Sequence, residues 1–148
     1  MSDNRIFHFI LDWAEKYFKS RDAYNKKITG ISRDEDGFTI KYREKQEKII
    51  AIDDLNRLDN SKLGPNLSIV TLNNRKNLDY LYRNWGALLR IEALRIYFIN
   101  PFSITDKKWA INPNIHSKIT EEASLKPGLL SIFETVEPLT PEILMNKL

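Results

Sequence analysis

Cysteine and histidine supply many catalytic nucleophiles and metal ligands, and this sequence has no cysteine and two histidines, His8 and His116. The lack of cysteine excludes a disulfide framework, a thiol nucleophile, a cysteine-ligated zinc ion and an iron–sulfur cluster. Glycine-rich phosphate loops and the short motifs of zinc proteases and serine hydrolases are also missing from the sequence. We therefore expect no cofactor and no metal, and the pattern favours a protein that is not an enzyme.

Three asparagines mark the best candidate for a binding site, because each follows a stretch that is typical of a β-strand. Asn73 and Asn74 follow residues 67–72, and Asn100 follows residues 94–99. A helical stretch separates the two strands, so we expect them to be parallel. Parallel strands end at the same edge of a sheet, here called the carboxyl edge, where open α/β sheets generally bind ligands. The three asparagines should therefore meet there.

The helix that begins after Asn74 should add positive charge to the carboxyl edge. Its first backbone N–H groups and its dipole favour an anion, and Arg75 and Lys76 lie in its first turn. Three residues on the following loops complete the candidate site: Ser103, Trp109 and His116. The alternative interpretation needs no ligand, since the asparagines are then caps and turns, Trp109 is core and His116 is exposed.

Periodicity predicts the elements that position these residues. Apolar side chains at spacings of three and four predict an N-terminal helix over residues 3–21, capped by Ser2 or Asp3. Alternation after residue 27, with a turn at Asp36-Gly37, predicts three antiparallel strands, over residues 28–33, 38–43 and 48–52. The two apolar strands and one helix over residues 75–89 then form a strand–helix–strand crossover.

The C-terminal part is divided by proline. Asn-Pro pairs predict turns at residues 100–101 and 112–113, with a short strand over residues 108–111 between them. The Pro127-Gly128 pair should precede a helix over residues 129–136.

A last helix is predicted from Thr140 onward, because Thr-Pro-Glu is typical of a helix start. The predicted fold class is α+β: an N-terminal helix, an antiparallel three-strand meander, a strand–helix–strand crossover that extends the sheet, and C-terminal helices packed outside it. We expect residues 1–148 to form one such domain.

The order helix, three-strand meander, helix, strand is similar to the core of PD-(D/E)xK nucleases, over roughly the first hundred residues. That resemblance implies an acid on one strand and a Glu-x-Lys triplet on the next, which together hold a divalent cation. Residues 69–72, before the crossover helix, contain neither an acid nor a lysine. Asp53 and Asp54 are the nearest substitutes, and the sequence leaves open whether either binds a metal. The resemblance therefore implies a degenerate nuclease-like sheet.

Charge bears on the choice of partner. The net charge is +3, which is compatible with an acidic partner such as nucleic acid without requiring one. Four basic residues cluster on the outer face of the meander: Lys41, Arg43, Lys45 and Lys48. Such a row can bind phosphates, or it can simply discourage pairing of an exposed strand with another chain.

Two hypotheses follow. The first is a non-enzymatic binding or assembly domain that acts through a surface patch or a sheet edge, as a homo-oligomer or with a protein partner. The second is a small enzyme or ligand-binding protein for an anionic substrate, a nucleotide or nucleic acid, at the carboxyl edge. The polar N-terminal residues and the short apolar runs predict a cytoplasmic protein with no membrane association.

Overall fold

The computed structural model describes residues 4–148, and its centre is a six-stranded sheet in which strand order follows the chain. The strands are β1 (Ile28–Arg33), β2 (Gly37–Tyr42), β3 (Gln46–Ala51), β4 (Leu67–Leu72), β5 (Arg95–Ile99) and β6 (Lys108–Ile111). Strands β3, β4 and β5 are parallel, and the remaining neighbours are antiparallel. The predicted α+β fold, a meander followed by a crossover, is confirmed.

Helix α1 (Asn4–Asp22) covers the meander because its apolar stripe meets the inward face of β2. Phe38 and Ile40 are fully buried there, so the alternation that predicted this strand reflects burial of one strand face beneath a helix. The predicted helix cap, Ser2 or Asp3, lies outside the described residues.

The crossover joins two strands that are almost wholly buried, as central parallel strands are. Helix α2 (Arg75–Arg83) makes the connection, and a single turn, α3 (Trp85–Leu88), follows it. The prediction of one continuous helix is wrong at Asn84, where φ is −107° and ψ is 10°. The Asn84 side-chain amide donates to the carbonyl oxygen of Tyr80 at 2.9 Å. The Asn84 backbone amide donates to the same oxygen at 3.0 Å, so side chain and backbone share this acceptor at the position where the helix ends.

Helices lie on both faces of the sheet, and each face has its own hydrophobic cluster. Helices α1 and α6 (Pro141–Lys147) pack on one face. Helices α2, α3 and α5 (Leu125–Phe133) pack on the other face. The chain must therefore cross an edge of the sheet between α5 and α6.

Two predictions near prolines are wrong. Asn112-Pro113, predicted to be a turn, begins α4 (Pro113–Ile119), with Asn112 accepting a hydrogen bond from the Ile115 amide at 3.2 Å. Pro127 lies inside α5 instead of before it. Both prolines fit because the first turn of a helix leaves its N–H groups unpaired, so proline forfeits no hydrogen bond there. Among residues 4–148, no helix is long and apolar enough to cross a bilayer.

A cluster of ion pairs ties the β1–β2 turn to β3 and to the connection after it. Asp36 accepts hydrogen bonds from Lys48 at 2.8 Å and from Lys62 at 2.7 Å. Burial of the carboxyl opposes its charged form, but these two hydrogen bonds outweigh it and hold the pKa of Asp36 well below its usual range. The charged carboxylate therefore stabilises the fold.

Asp36→Asn should lower the free energy of unfolding by about 1 kcal/mol at pH 7, the scale of a partly exposed ion-pair network. Because the pKa of Asp36 is lowered in the folded state, its contribution is complete above the unfolded pKa of about 4 and declines as the pH falls below it. Urea unfolding at pH 7 and at pH 3 measures both values. The gap between wild type and variant should narrow at pH 3, whereas Asp106→Asn, at an exposed aspartate, should show no gap at either pH.

Candidate functional site

Asn73, at the end of β4, lies at the carboxyl edge as predicted, but its side chain is fully buried and bonded to protein. Its amide donates to the carbonyl oxygens of Val136 at 2.9 Å and Phe133 at 3.3 Å. Its side-chain oxygen accepts a hydrogen bond from the indole nitrogen of Trp109 at 2.7 Å. Both donor hydrogens and the acceptor of this side chain are therefore in use inside the protein.

The partners of Asn73 belong to the stretch that carries the chain from α5 to α6, residues 133–139, here called the crossing segment. The side-chain amide of Asn74 donates to the carbonyl oxygen of Leu139 at 3.1 Å. The side-chain amide of Asn100 donates to the carbonyl oxygen of Glu137 at 2.9 Å. The amide of Leu139 donates to the backbone oxygen of Asn73 at 2.7 Å. The three asparagines thus meet at the carboxyl edge, where their side chains form hydrogen bonds to the crossing segment.

Asn77 belongs to the same network, although sequence reasoning overlooked it. It is fully buried within α2, and its amide donates to the carbonyl oxygen of Leu72 at 2.8 Å and the hydroxyl of Thr71 at 3.0 Å. Its side-chain oxygen accepts from the amide of Leu55 at 2.8 Å. A polar residue three positions after a helix cap, where the apolar stripe is expected, was the available signal.

The start of α2 opens on a cavity of about 450 Å³. Asn74 caps the helix by accepting from the Asn77 amide, and Lys76 lines the cavity together with Arg57. Three carboxylates line it too: Asp53, Asp54 and Glu142. Acids outnumber bases around this helix start, so the surrounding charge opposes the anion that the helix dipole favours.

Arg75 points elsewhere, since its guanidinium lies 5.9 Å from the centre of the Phe133 ring. Asp53 forms an ion pair with Arg57, and nowhere in residues 4–148 are three or more histidine or carboxylate side chains placed so as to hold a metal ion.

The other predicted residues divide into two groups. Trp109 stacks on Phe98 with ring centres 4.2 Å apart and reaches Asn73. Ser103 is buried, and its hydroxyl accepts from the Glu137 amide at 3.4 Å, so it also supports the crossing segment. His116 does not join them.

His116 packs edge-on against Trp85, beyond the far end of α2, with ring centres 5.7 Å apart. Burial lowers the pKa of His116. This position beyond the end of α2 places His116 away from the carboxyl edge. Ligand binding by the predicted residues stays a prediction.

A larger depression lies at the opposite edge, the amino edge, where the parallel strands begin. It has a volume of about 940 Å³, and we call it the basic groove. The end of α1, the loop to β1, the β2–β3 turn and the start of β5 form its walls. Its lining residues are Phe18, Arg21, Asp22, Asn25, Lys26, Lys27, Thr29, Tyr42, Arg43, Glu44, Lys45, Glu47 and Arg95.

Six of these residues are basic and three are acidic, an excess of three positive charges that equals the net charge of the entire chain. Outside the groove, five basic side chains of residues 4–148 have a carboxylate at ion-pair distance: Lys19, Arg33, Lys48, Arg57 and Lys62. Arg33 pairs with Glu15, and Lys48 pairs with Asp34. Within residues 4–148, none of the six basic groove residues has a carboxylate at ion-pair distance. The groove therefore keeps an excess of three positive charges, and its basic side chains are not held in ion pairs.

Two of the three groove acids are bonded to groups in the walls. Asp22 accepts from the backbone amides of Lys27 and Ile28, each at 2.9 Å, which fixes the loop after α1. Glu47 accepts from the hydroxyl of Tyr42 at 3.2 Å and from that of Ser68 at 3.1 Å. Burial, together with the charge of Glu47, raises the pKa of Tyr42 to about 12, so Tyr42 remains a hydrogen-bond donor at neutral pH.

Arg21 is held in place at the base of the groove. It donates to the hydroxyl of Tyr97 at 3.0 Å, and its guanidinium lies 5.3 Å from the centre of the Phe18 ring. Lys45 lies 5.3 Å from the centre of the Tyr42 ring. Aromatic rings thus position two of the cations without neutralising them.

The predicted row of basic residues on the meander is split by the structure. Arg43 and Lys45 line the groove, whereas Lys48 faces Asp34 and Asp36. Searches of family models, curated proteins and solved structures find no match to this chain.

Proposed function

We propose that this protein is a non-enzymatic binding domain that holds a phosphate-bearing polymer in the basic groove. The observation that carries the proposal is the set of six basic side chains that share one concave surface without a carboxylate partner. A polyanion exchanges its counterions for such side chains, and the released ions drive binding.

The position of the cations supports a binding role over a purely protective one. Lysine on an exposed strand discourages pairing with other chains. Arg43 and Lys45 instead lie in a turn, and Lys26 lies in a loop. Arg21 lies at the end of a helix and is fixed by Tyr97. Protection of a strand edge explains none of these four positions.

The acids in and around the groove support binding without catalysis. Asp22 and Glu47 accept hydrogen bonds from wall groups, and Glu44 is exposed on the β2–β3 turn. General acid–base catalysis requires a titratable group that is positioned near the reacting bond. The groove offers positive charge and fixed walls, which suit retention of a ligand.

A salt titration tests the proposal. A fluorescein-labelled 20-nucleotide strand should bind the protein in 50 mM NaCl, and a plot of log K against log salt concentration should have a slope of about −3 to −4. That slope corresponds to about five phosphate contacts, each contributing about 0.7 for a single strand. Inorganic polyphosphate should compete with the strand. No binding of either polymer at protein concentrations up to about 100 μM would refute the proposal, because nonspecific sites of this kind bind within that range.

A further inference from the structure

Tyr24 is the feature of the groove region that charge does not explain. It lies in the loop between α1 and β1, and its side chain is 95% exposed. The other five tyrosines are buried or half-buried. Within residues 4–148, the Tyr24 side chain has no ring contact or hydrogen bond. Asp22, two residues before it, and Asn25, directly after it, line the basic groove. A bare aromatic ring is therefore exposed on the loop that forms one wall of the groove.

The loop that carries Tyr24 is held by hydrogen bonds on both sides of the ring. The Lys26 amide donates to the carbonyl oxygen of Asp22 at 2.7 Å, and Lys26 adopts a left-handed φ of 51°. The Asp22 carboxylate accepts from the backbone amides of Lys27 and Ile28. The ring is thus exposed on a fixed turn, so a ligand that stacks on it need not first order the loop.

We infer that the groove takes single-stranded nucleic acid, with the phosphates on the basic side chains and one base stacked on Tyr24. This inference rests on the proposed function and specifies its ligand. Proteins that bind single strands combine a positive channel for the backbone with exposed aromatic rings for the bases. A duplex keeps the faces of its bases inside the stack, and inorganic polyphosphate has no bases. Neither can use the Tyr24 ring as a single strand does.

Competition binding distinguishes these ligands. A labelled 20-nucleotide thymidine strand is titrated with wild type, Tyr24→Ala and Tyr24→Trp, and unlabelled single strand, 20-base-pair duplex and inorganic polyphosphate serve as competitors. Tyr24→Ala should weaken single-strand binding about tenfold, the scale of one lost base–ring stack. The same variant should bind duplex and polyphosphate as wild type does. Tyr24→Trp should keep single-strand binding, because it keeps a ring for the base.

Equal affinity of wild type and Tyr24→Ala for the single strand would overturn the inference. So would duplex or polyphosphate competing as well as the single strand does in wild type. In both cases the proposed function would stand, since the groove would still bind phosphate polymers. Absence of binding to all three polymers would refute the proposed function itself. Because the Tyr24 side chain is almost fully exposed, its replacement leaves the fold intact, and binding can be compared directly.

Discussion

Asn73→Ala is expected to lower the free energy of unfolding by about 3 kcal/mol and the melting temperature by about 10 °C. The variant removes three hydrogen bonds and leaves the Trp109 indole N–H and the Val136 carbonyl oxygen without partners. Both residues are buried, with exposed fractions of 5% and 1%. Each buried polar group that loses its partner costs about 1 to 3 kcal/mol.

Chemical denaturation and hydrogen exchange measure this effect. The amide of Leu139, which donates to the Asn73 backbone, should exchange faster in the variant as the crossing segment loosens. Asn60→Ala is the matched control, because Asn60 is exposed in the connection between β3 and β4 and its side chain makes no hydrogen bond within residues 4–148. A loss of less than 1 kcal/mol for Asn73→Ala would mean that the crossing segment does not depend on this asparagine.

A double variant that reverses two groove charges, by Arg43→Glu and Lys45→Glu together, is expected to bind single strands about 100-fold more weakly in 50 mM salt. Each reversal changes an attraction to phosphate into a repulsion, which is worth about 1 to 2 kcal/mol at an exposed site, and 1.4 kcal/mol is a factor of ten. The slope of log K against log salt should fall by about 1.4, because two contacts are lost. Both residues lie in an exposed turn, so the melting temperature should change little.

The same double variant also defines the result that would contradict binding in the groove. If affinity and salt slope both stay at their wild-type values, the polymer binds elsewhere on the protein. Anisotropy titrations at three salt concentrations are sufficient to measure both quantities.

Much of the fold could be predicted because its elements carry simple periodic signals. The alternation around Phe38 and Ile40 indicates a strand with one buried face. The apolar run of residues 67–72 indicates a strand that is buried on both faces. The break at Asn84 could not be predicted from periodicity, since the apolar spacing continues through it. The break lies where the backbone of Asn84 leaves helical dihedral angles, and asparagine is compatible with either outcome.

The candidate sites were harder to predict because they depend on contacts between distant residues. The position of Asn73 at a strand end was correctly predicted, but its partners Phe133 and Val136 are about 60 residues away, and only the folded chain brings them together. The basic groove likewise brings together residues that are distant in sequence, such as Arg21 and Arg95. Sequence analysis found the part of it that lies on a single hairpin, Arg43 and Lys45, and could not find the rest without the order of the strands.

We propose that phosphate polymers bind the amino edge of the sheet and not the carboxyl edge. The most direct test compares two double variants in side-by-side titrations of one labelled strand. One variant combines Arg43→Glu and Lys45→Glu in the groove, and the other combines Arg75→Glu and Lys76→Glu at the start of α2. Each variant reverses one arginine and one lysine, so their net charges are equal. We predict about 100-fold weaker binding for the groove pair and less than about threefold for the α2 pair. Equal losses would show that only net charge matters, and a greater loss for the α2 pair would place the ligand at the carboxyl edge; either result would contradict the claim.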